Sequence, residues 1–125
     1  MPKFSKQSTA RLATCHPDLQ KLFNEVIKDF DCVIICGART LEEQQAAFKG
    51  GFSKLDGINK KGKHQVSKDK PLSDAVDVCP FPIDWNNINR FKDLSKVVFK
   101  KAQELGLKIT WGGSWKMKDY PHWER

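Results

Sequence analysis

Ser73-Asp-Ala-Val-Asp-Val-Cys-Pro80 is the stretch on which the fold turns. Its centre, Ala75 to Cys79, is short, apolar and rich in valine, so it reads as a buried strand that Pro80 and Pro82 bring to an end. Asp77 lies between Val76 and Val78. A carboxylate there needs a partner to offset its desolvation, and the segment alone leaves two open: a metal ion, or a lysine or arginine at the core edge. Strand geometry puts Asp77 on one face with Ala75 and Cys79 and turns Asp74 to the other, so Asp77 is the better ligand candidate.

Toward the N-terminus, Pro17 suits a first helical position, and Leu19, Leu22, Phe23, Val26, Ile27 and Phe30 follow at helical spacing, which predicts a core helix to about residue 30. Cys32-Val-Ile-Ile-Cys36, ended by Gly37, predicts a second buried strand. Thr40 and Glu43 form a capping-box pair ahead of a helix from Leu41 to about Lys49. Residues 50–72, with glycines, lysines, Asp56, Asn59 and Pro71, read as one long loop, a type of segment that often carries function in small domains. Toward the C-terminus, Asn89 is a candidate cap for a helix that buries Phe91, Leu94, Val97, Val98, Ala102 and Leu105 and stops at Gly106. Leu107 to Trp111 reads as a further strand, and Pro121 to Glu124 as a short last one. This order predicts an α+β domain with a small, mainly antiparallel sheet and helices packed against it.

At 125 residues the chain has room for one core, so residues 1–125 are expected to form a single domain. No apolar run approaches the roughly 18 residues of a membrane span, and the N-terminal segment lacks the apolar centre of a secretory signal. The expectation is a soluble protein that stays in the cytoplasm unless something releases it, without stable membrane insertion. Cys15, Cys32, Cys36 and Cys79 form no CxxC pair, and the last three sit in apolar runs, which favours buried free thiols over disulfides or a thiolate metal site. The net charge of +7 implies an anionic polymer as partner. Lysines cluster at Lys60, Lys61, Lys63, Lys68 and Lys70, and again at 96–101 and 116–118. Charge alone does not choose between nucleic acid and the bacterial cell wall.

Three histidines limit where chemistry can sit. His16, before Pro17, suits a structural place at a helix start. His64 lies in a basic loop, where a solvated imidazole is the plain alternative to a ligand. His122 sits in an aromatic terminal segment three residues after Asp119, so a bend at Tyr120-Pro121 has to bring the two to one side. His64, Asp77 and His122 supply three ligands of the kind that hold a hydrolytic zinc with one open position, and Asp119 is a spare carboxylate for a base. Arg39, after the strand and before the capped helix, is either an anion or oxyanion binder or a surface charge. Trp111-Gly-Gly-Ser-Trp115 is either a substrate wall or a core edge.

Taken in order, Gly37-Ala-Arg-Thr-Leu-Glu-Glu-Gln44, Gly62-Lys-His64, Ser73-Asp-Ala-Val-Asp77, Trp111-Gly-Gly-Ser-Trp115 and Asp119-Tyr-Pro-His122 resemble the zinc peptidase family that contains VanY-type D-Ala-D-Ala carboxypeptidases and phage L-alanyl-D-glutamate endolysins. The resemblance implies a Hedgehog/D-Ala-D-Ala peptidase-like fold with the zinc site on the sheet, with His64, Asp77 and His122 as ligands. It implies Asp119 as general base, Arg39 as the group holding substrate or oxyanion, and substrate-side positions at Gln44, Ser73 and Trp115. The chain departs from the family's usual Ser-x-His by having Gly62, and from its close spacing by the insert Gln65 to Leu72, which bears on ligand geometry.

The resulting expectation is a monomeric phage endolysin that hydrolyses an amide of the peptidoglycan stem peptide, L-alanyl-D-glutamate first, without a separate wall-binding domain, and that reaches the wall through a holin-type pore. A D-Ala-D-Ala carboxypeptidase is the alternative within the family. A non-catalytic basic nucleic-acid-binding module is the alternative from another class, and it leaves Asp77 and Asp119-x-x-His122 without a use.

Overall fold

The computed structural model describes residues 2–51, 57 and 62–125. The loop residues Asp56, Asn59, Lys60 and Lys61 singled out above lie outside that set. In chain order the elements are α1 (Lys6–Leu12), α2 (Pro17–Asp29), β1 (Cys32–Cys36), α3 (Leu41–Lys49), β2 (Ala75–Pro80), α4 (Ile88–Leu105), β3 (Thr110–Trp111), a 3-10 turn (Gly112–Ser114) and β4 (His122–Glu124). Among the described residues the strands form one sheet in the order β1-β2-β4-β3, with every neighbouring pair antiparallel. The α+β class with a small antiparallel sheet is as the sequence predicts.

Alternation sorts the sheet into two faces. Ile34, Val76, Val78 and Trp123 point into the core and are fully buried. They meet the apolar stripe of α2 (Leu19, Leu22, Phe23, Val26 and Ile27) and that of α4 (Leu94, Val98 and Ala102). Trp123 is the hub: its ring stacks on Trp111 at 5.7 Å and takes edge contacts from Phe99 and Phe23 at 5.3 and 6.3 Å. The opposite face carries Asp77 and His122, which are directly paired across β2 and β4. The same alternation that fills the core therefore lifts the polar residues onto one outward surface.

The helix over Leu41–Lys49 begins with the predicted capping box: Glu43 N–H donates to Thr40 Oγ1 and Thr40 N–H to Glu43 Oε1. His16 caps α2, its Nδ1 accepting from the Asp18 N–H at 3.1 Å.

Three expectations change. α4 is capped by Asn87, whose side chain accepts from Arg90 N–H, and Asn89 is the second residue of the helix. Either asparagine can cap, and the chain enters the helix at the earlier one. The strand expected over Leu107 to Trp111 shortens to Thr110–Trp111, because its partner β4 is only three residues long and offers ladder positions at Trp123 and Glu124 alone. Finally, α1 went unread in the sequence. It is capped by Ser5 and lies along edge strand β1, where Ser8 Oγ accepts from Ile34 N–H and Arg11 Nη1 donates to Ile34 O. These bonds satisfy backbone groups that an edge strand otherwise leaves open. α1 buries only Ser8 and Leu12, too little apolar periodicity to announce a helix.

Candidate metal centre

Two strands and one loop build the site. β2 supplies Asp77, β4 supplies His122 as its cross-strand neighbour, and the loop before β2 supplies His64. His64 Nε2 lies 3.2 Å from Asp77 Oδ1 and 3.2 Å from His122 Nδ1, and His122 Nδ1 lies 3.4 Å from Asp77 Oδ1. Nitrogen and oxygen donors about 2.0–2.2 Å from a tetrahedral ion are about 3.3–3.6 Å apart along the tetrahedron's edge. The triangle of donors has nearly that size.

The outward nitrogens decide what the inward ones can do. His64 Nδ1 is 2.8 Å from the Gly37 carbonyl, which only accepts, so Nδ1 carries the proton. His122 Nε2 is 2.8 Å from Glu124 Oε1 and likewise donates. Each neutral ring then turns a lone pair inward, toward the Asp77 carboxylate. Three acceptors face one point with no donor among them, which is the arrangement that a cation completes and that outer-shell partners of metal-bound imidazoles produce.

Without an ion, protons take the cation's place. Burial opposes a charged His64, but its bonds to Asp77 and Cys36 outweigh that and raise its pKa to about 10. His122 shifts upward too, with burial opposed by bonds to Asp77 and Glu124. Burial of Asp77 is overcome by the bonds from His122 and His64, which hold its carboxyl far below the usual range.

The chain around the triad is tightly fitted. Gly37 packs against the end of α1, and a side chain there would collide with Thr14 Oγ1 and the Arg11 carbonyl. That close approach fixes the carbonyl that orients His64. The His64 loop is tied back by Arg39 N–H to His64 O at 2.7 Å and Val66 N–H to Arg39 O at 2.9 Å. The insert Gln65 to Leu72 closes on itself through paired bonds between Ser67 and Lys70, and Asp74 N–H donates to Lys63 O at 3.0 Å across its base. Gln65, which is buried, and Val66, bonded to Arg39, hold the start of the insert against the site, and its outer turn lies at Ser67 to Lys70.

Asp119 reaches the site through the bend the sequence required: His122 N–H donates to Asp119 O at 3.2 Å across Tyr120-Pro121. Its carboxylate comes to 3.9 Å from His122 Nδ1 while staying open to solvent. Burial, followed by the charge of Asp77, raises the Asp119 pKa above the ordinary 3.8. Gly112 makes room for this turn, because a Cβ at Gly112 would meet the Asp119 carbonyl and the Cβ atoms of Asp119 and His122. Trp115 stands over His122 with ring centroids 5.0 Å apart. Arg39 Nη1 donates to Gln44 Oε1 at 3.0 Å, and Gln44 is itself buried, so Gln44 supports Arg39 from behind. Ser73 is fully buried, with its hydroxyl donated to Ala75 O at 2.6 Å; it anchors the start of β2 and presents nothing to solvent.

Two neighbours went unread. Glu124 stands two residues beyond His122 on one strand face, a spacing that could have flagged it. Cys36 was expected among the buried thiols. The pairing of β1 with β2 shifts between Ile34 and Cys36, and this bulge sets Cys36 opposite Asp77. Cys36 is therefore half-buried at the site, while Cys15, Cys32 and Cys79 remain buried. Sγ of Cys36, a ring nitrogen of His64 and an oxygen of Asp77 all lie within 4.8 Å of one another. Burial pushes the Cys36 thiol up, yet the bond to His64 and the charges of His64 and Arg39 bring it below its ordinary value.

Comparison with known proteins agrees with this architecture. The chain is 32% identical over 118 residues to the L-alanyl-D-glutamate peptidase of Escherichia phage T5, covering 90% of this chain and 81% of the relative. The fold matches the crystal structure of the Serratia marcescens L-Ala D-Glu endopeptidase ChiX with a TM-score of 0.79 at 24% identity, over 98% of this chain and 89% of the other. The family model for phage L-alanyl-D-glutamate peptidase matches residues 1–125 from end to end, and the chain belongs to that family.

Proposed function

We propose that the protein is a zinc-dependent phage endolysin that hydrolyses the L-alanyl-D-glutamate amide of the peptidoglycan stem peptide and so lyses the host cell. The observation that carries the zinc reading is the convergence of three acceptor atoms, from His64, Asp77 and His122, whose outward nitrogens are already spent on Gly37 O and Glu124. The reaction is supported by membership of a peptidase family and by the 32% identity to the T5 peptidase.

His64, Asp77 and His122 would hold the ion, and two neutral imidazoles with one carboxylate leave it a net positive charge. When bound, zinc supplies Lewis acidity, lowering the pKa of water and polarising a carbonyl. The chain's own residues do the rest. Asp119, beside the triad and open to solvent, takes the proton from the attacking water and returns it to the amide nitrogen, so that the amine leaves neutral. Arg39, steadied by Gln44, faces the developing oxyanion or a stem-peptide carboxylate. Trp115 walls the His122 side. Residues 1–125 act as one peptidase domain, with the positive charge drawing it to the anionic wall, which it reaches through a holin-type pore.

The test is release of new amino groups from purified peptidoglycan by metal-free and zinc-reconstituted protein, with the products weighed by mass spectrometry. Zinc-dependent appearance of D-Glu N-termini is the expected result. Loss of terminal D-Ala alone would move the activity to the carboxypeptidase branch, and no release from any wall type would overturn the reading.

A further inference from the structure

We propose that Cys36 is a fourth protein donor to the metal held by His64, Asp77 and His122, closing the site with a thiolate until substrate arrives. The inference rests on the metal-centre reading above and adds a residue to it. The strand registers pair Cys36 with Asp77 and Asp77 with His122, so three donor side chains stand in one row across β1, β2 and β4, with His64 meeting them from its loop. The bulge in β1 creates the row. Strict alternation would send Cys36 to the core with Cys32 and Ile34, and re-aiming a side chain beside a site is a common result of such an irregularity.

A thiolate about 2.3 Å from an ion lies about 3.5–3.6 Å from nitrogen and oxygen donors in the same tetrahedron. Sγ is within 4.8 Å of the His64 and Asp77 donor atoms. Its contacts to Gly37 O at 3.6 Å and from Arg39 Nη2 at 3.8 Å are long ones, and its bond with His64 already turns it toward the ligand set. On ligation the thiol proton goes to solvent. When substrate displaces the sulfur, the thiolate takes a proton back or pairs with Arg39. A two-imidazole, one-carboxylate, one-thiolate set favours thiophilic ions over magnesium and calcium.

The probe is Co²⁺, titrated into the metal-free full chain and followed by absorption. Wild type should give the visible bands of four-coordinate cobalt together with a near-ultraviolet thiolate-to-cobalt charge-transfer band. Cys36→Ser, close in volume, and Cys36→Ala should keep the visible bands, lose the charge-transfer band and bind Co²⁺ about tenfold or more weakly. Visible bands without charge transfer in wild type, or a charge-transfer band that survives in Cys36→Ala, would overturn the role of Cys36 and leave the three-ligand centre standing. Absence of any cobalt spectrum in wild type would sink the centre and Cys36 with it.

Discussion

Asp119 and Glu124 touch His122 from opposite sides and differ in what they can do. Asp119 faces the open side at 3.9 Å and carries a raised pKa, which suits a proton carrier. Asp119→Asn should therefore keep its metal and lose about 10²- to 10⁴-fold in turnover on peptidoglycan, with metal content read by atomic absorption alongside the rate. Retained turnover would remove it as the base. Glu124 faces inward to Nε2 at 2.8 Å. Glu124→Ala should weaken zinc binding by about 10- to 100-fold in a chelator competition, and Glu124→Gln, which still accepts, should recover most of the loss. An unchanged affinity in both variants would mean that Glu124 does not orient the ring. At this scale the sequence was informative about residue types and silent about aim. His64, Asp77 and His122 could be nominated, because buried carboxylates and scarce histidines stand out. Cys36 could not, since it owes its place to a shift in strand register; Glu124 was missed although its place two residues after His122 on one strand offered a signal.

At the scale of elements, the turn from Asp119 to His122 depends on the glycine it packs against. Gly112→Ala would place a methyl against the Asp119 carbonyl, displacing Asp119 and His122 together. The expected cost is about 1–3 kcal/mol of stability, read by urea denaturation, with turnover falling further than stability alone accounts for. Wild-type turnover in that variant would show that the turn relaxes freely. The helices at 17–29 and 41–49 were legible because an apolar stripe and a capping box are local signals. The strand at 110–111 was overextended and α1 was missed because both are set by partners far along the chain: β4 in one case, Ile34 in the other. The insert at 65–72 shows the same division. Its composition promised a loop, and only the bond between Asp74 and Lys63 shows that its base is closed.

For the molecule as a whole, the triad links protonation, metal and stability. Bonds from Asp77 raise His64 from 6.5 to about 10, so in the metal-free protein their stabilising effect is complete below about pH 6.5 and disappears as pH rises through 10. Asp77, depressed from 3.8, contributes above that value, and its contribution is lost as the medium becomes strongly acidic. An ion has to displace the protons that otherwise hold the cluster, so loading should release protons and strengthen with pH. The gap in Tm between zinc-loaded and metal-free protein should widen from about pH 6 to about pH 9. A gap that stays flat across that range would mean that the histidines are not the groups exchanging protons for metal.

The two imidazoles are secured by different kinds of partner, and that difference bears on how the enzyme can change by mutation. The acceptor for His64 belongs to the main chain at Gly37, and no side-chain replacement deletes a carbonyl. The acceptor for His122 is the Glu124 side chain, which a single codon change can shorten, neutralise or remove. Substitution can therefore tune the His122 side gradually at position 124, whereas on the His64 side any side chain added at position 37 collides with Thr14 and Arg11, leaving no intermediate step.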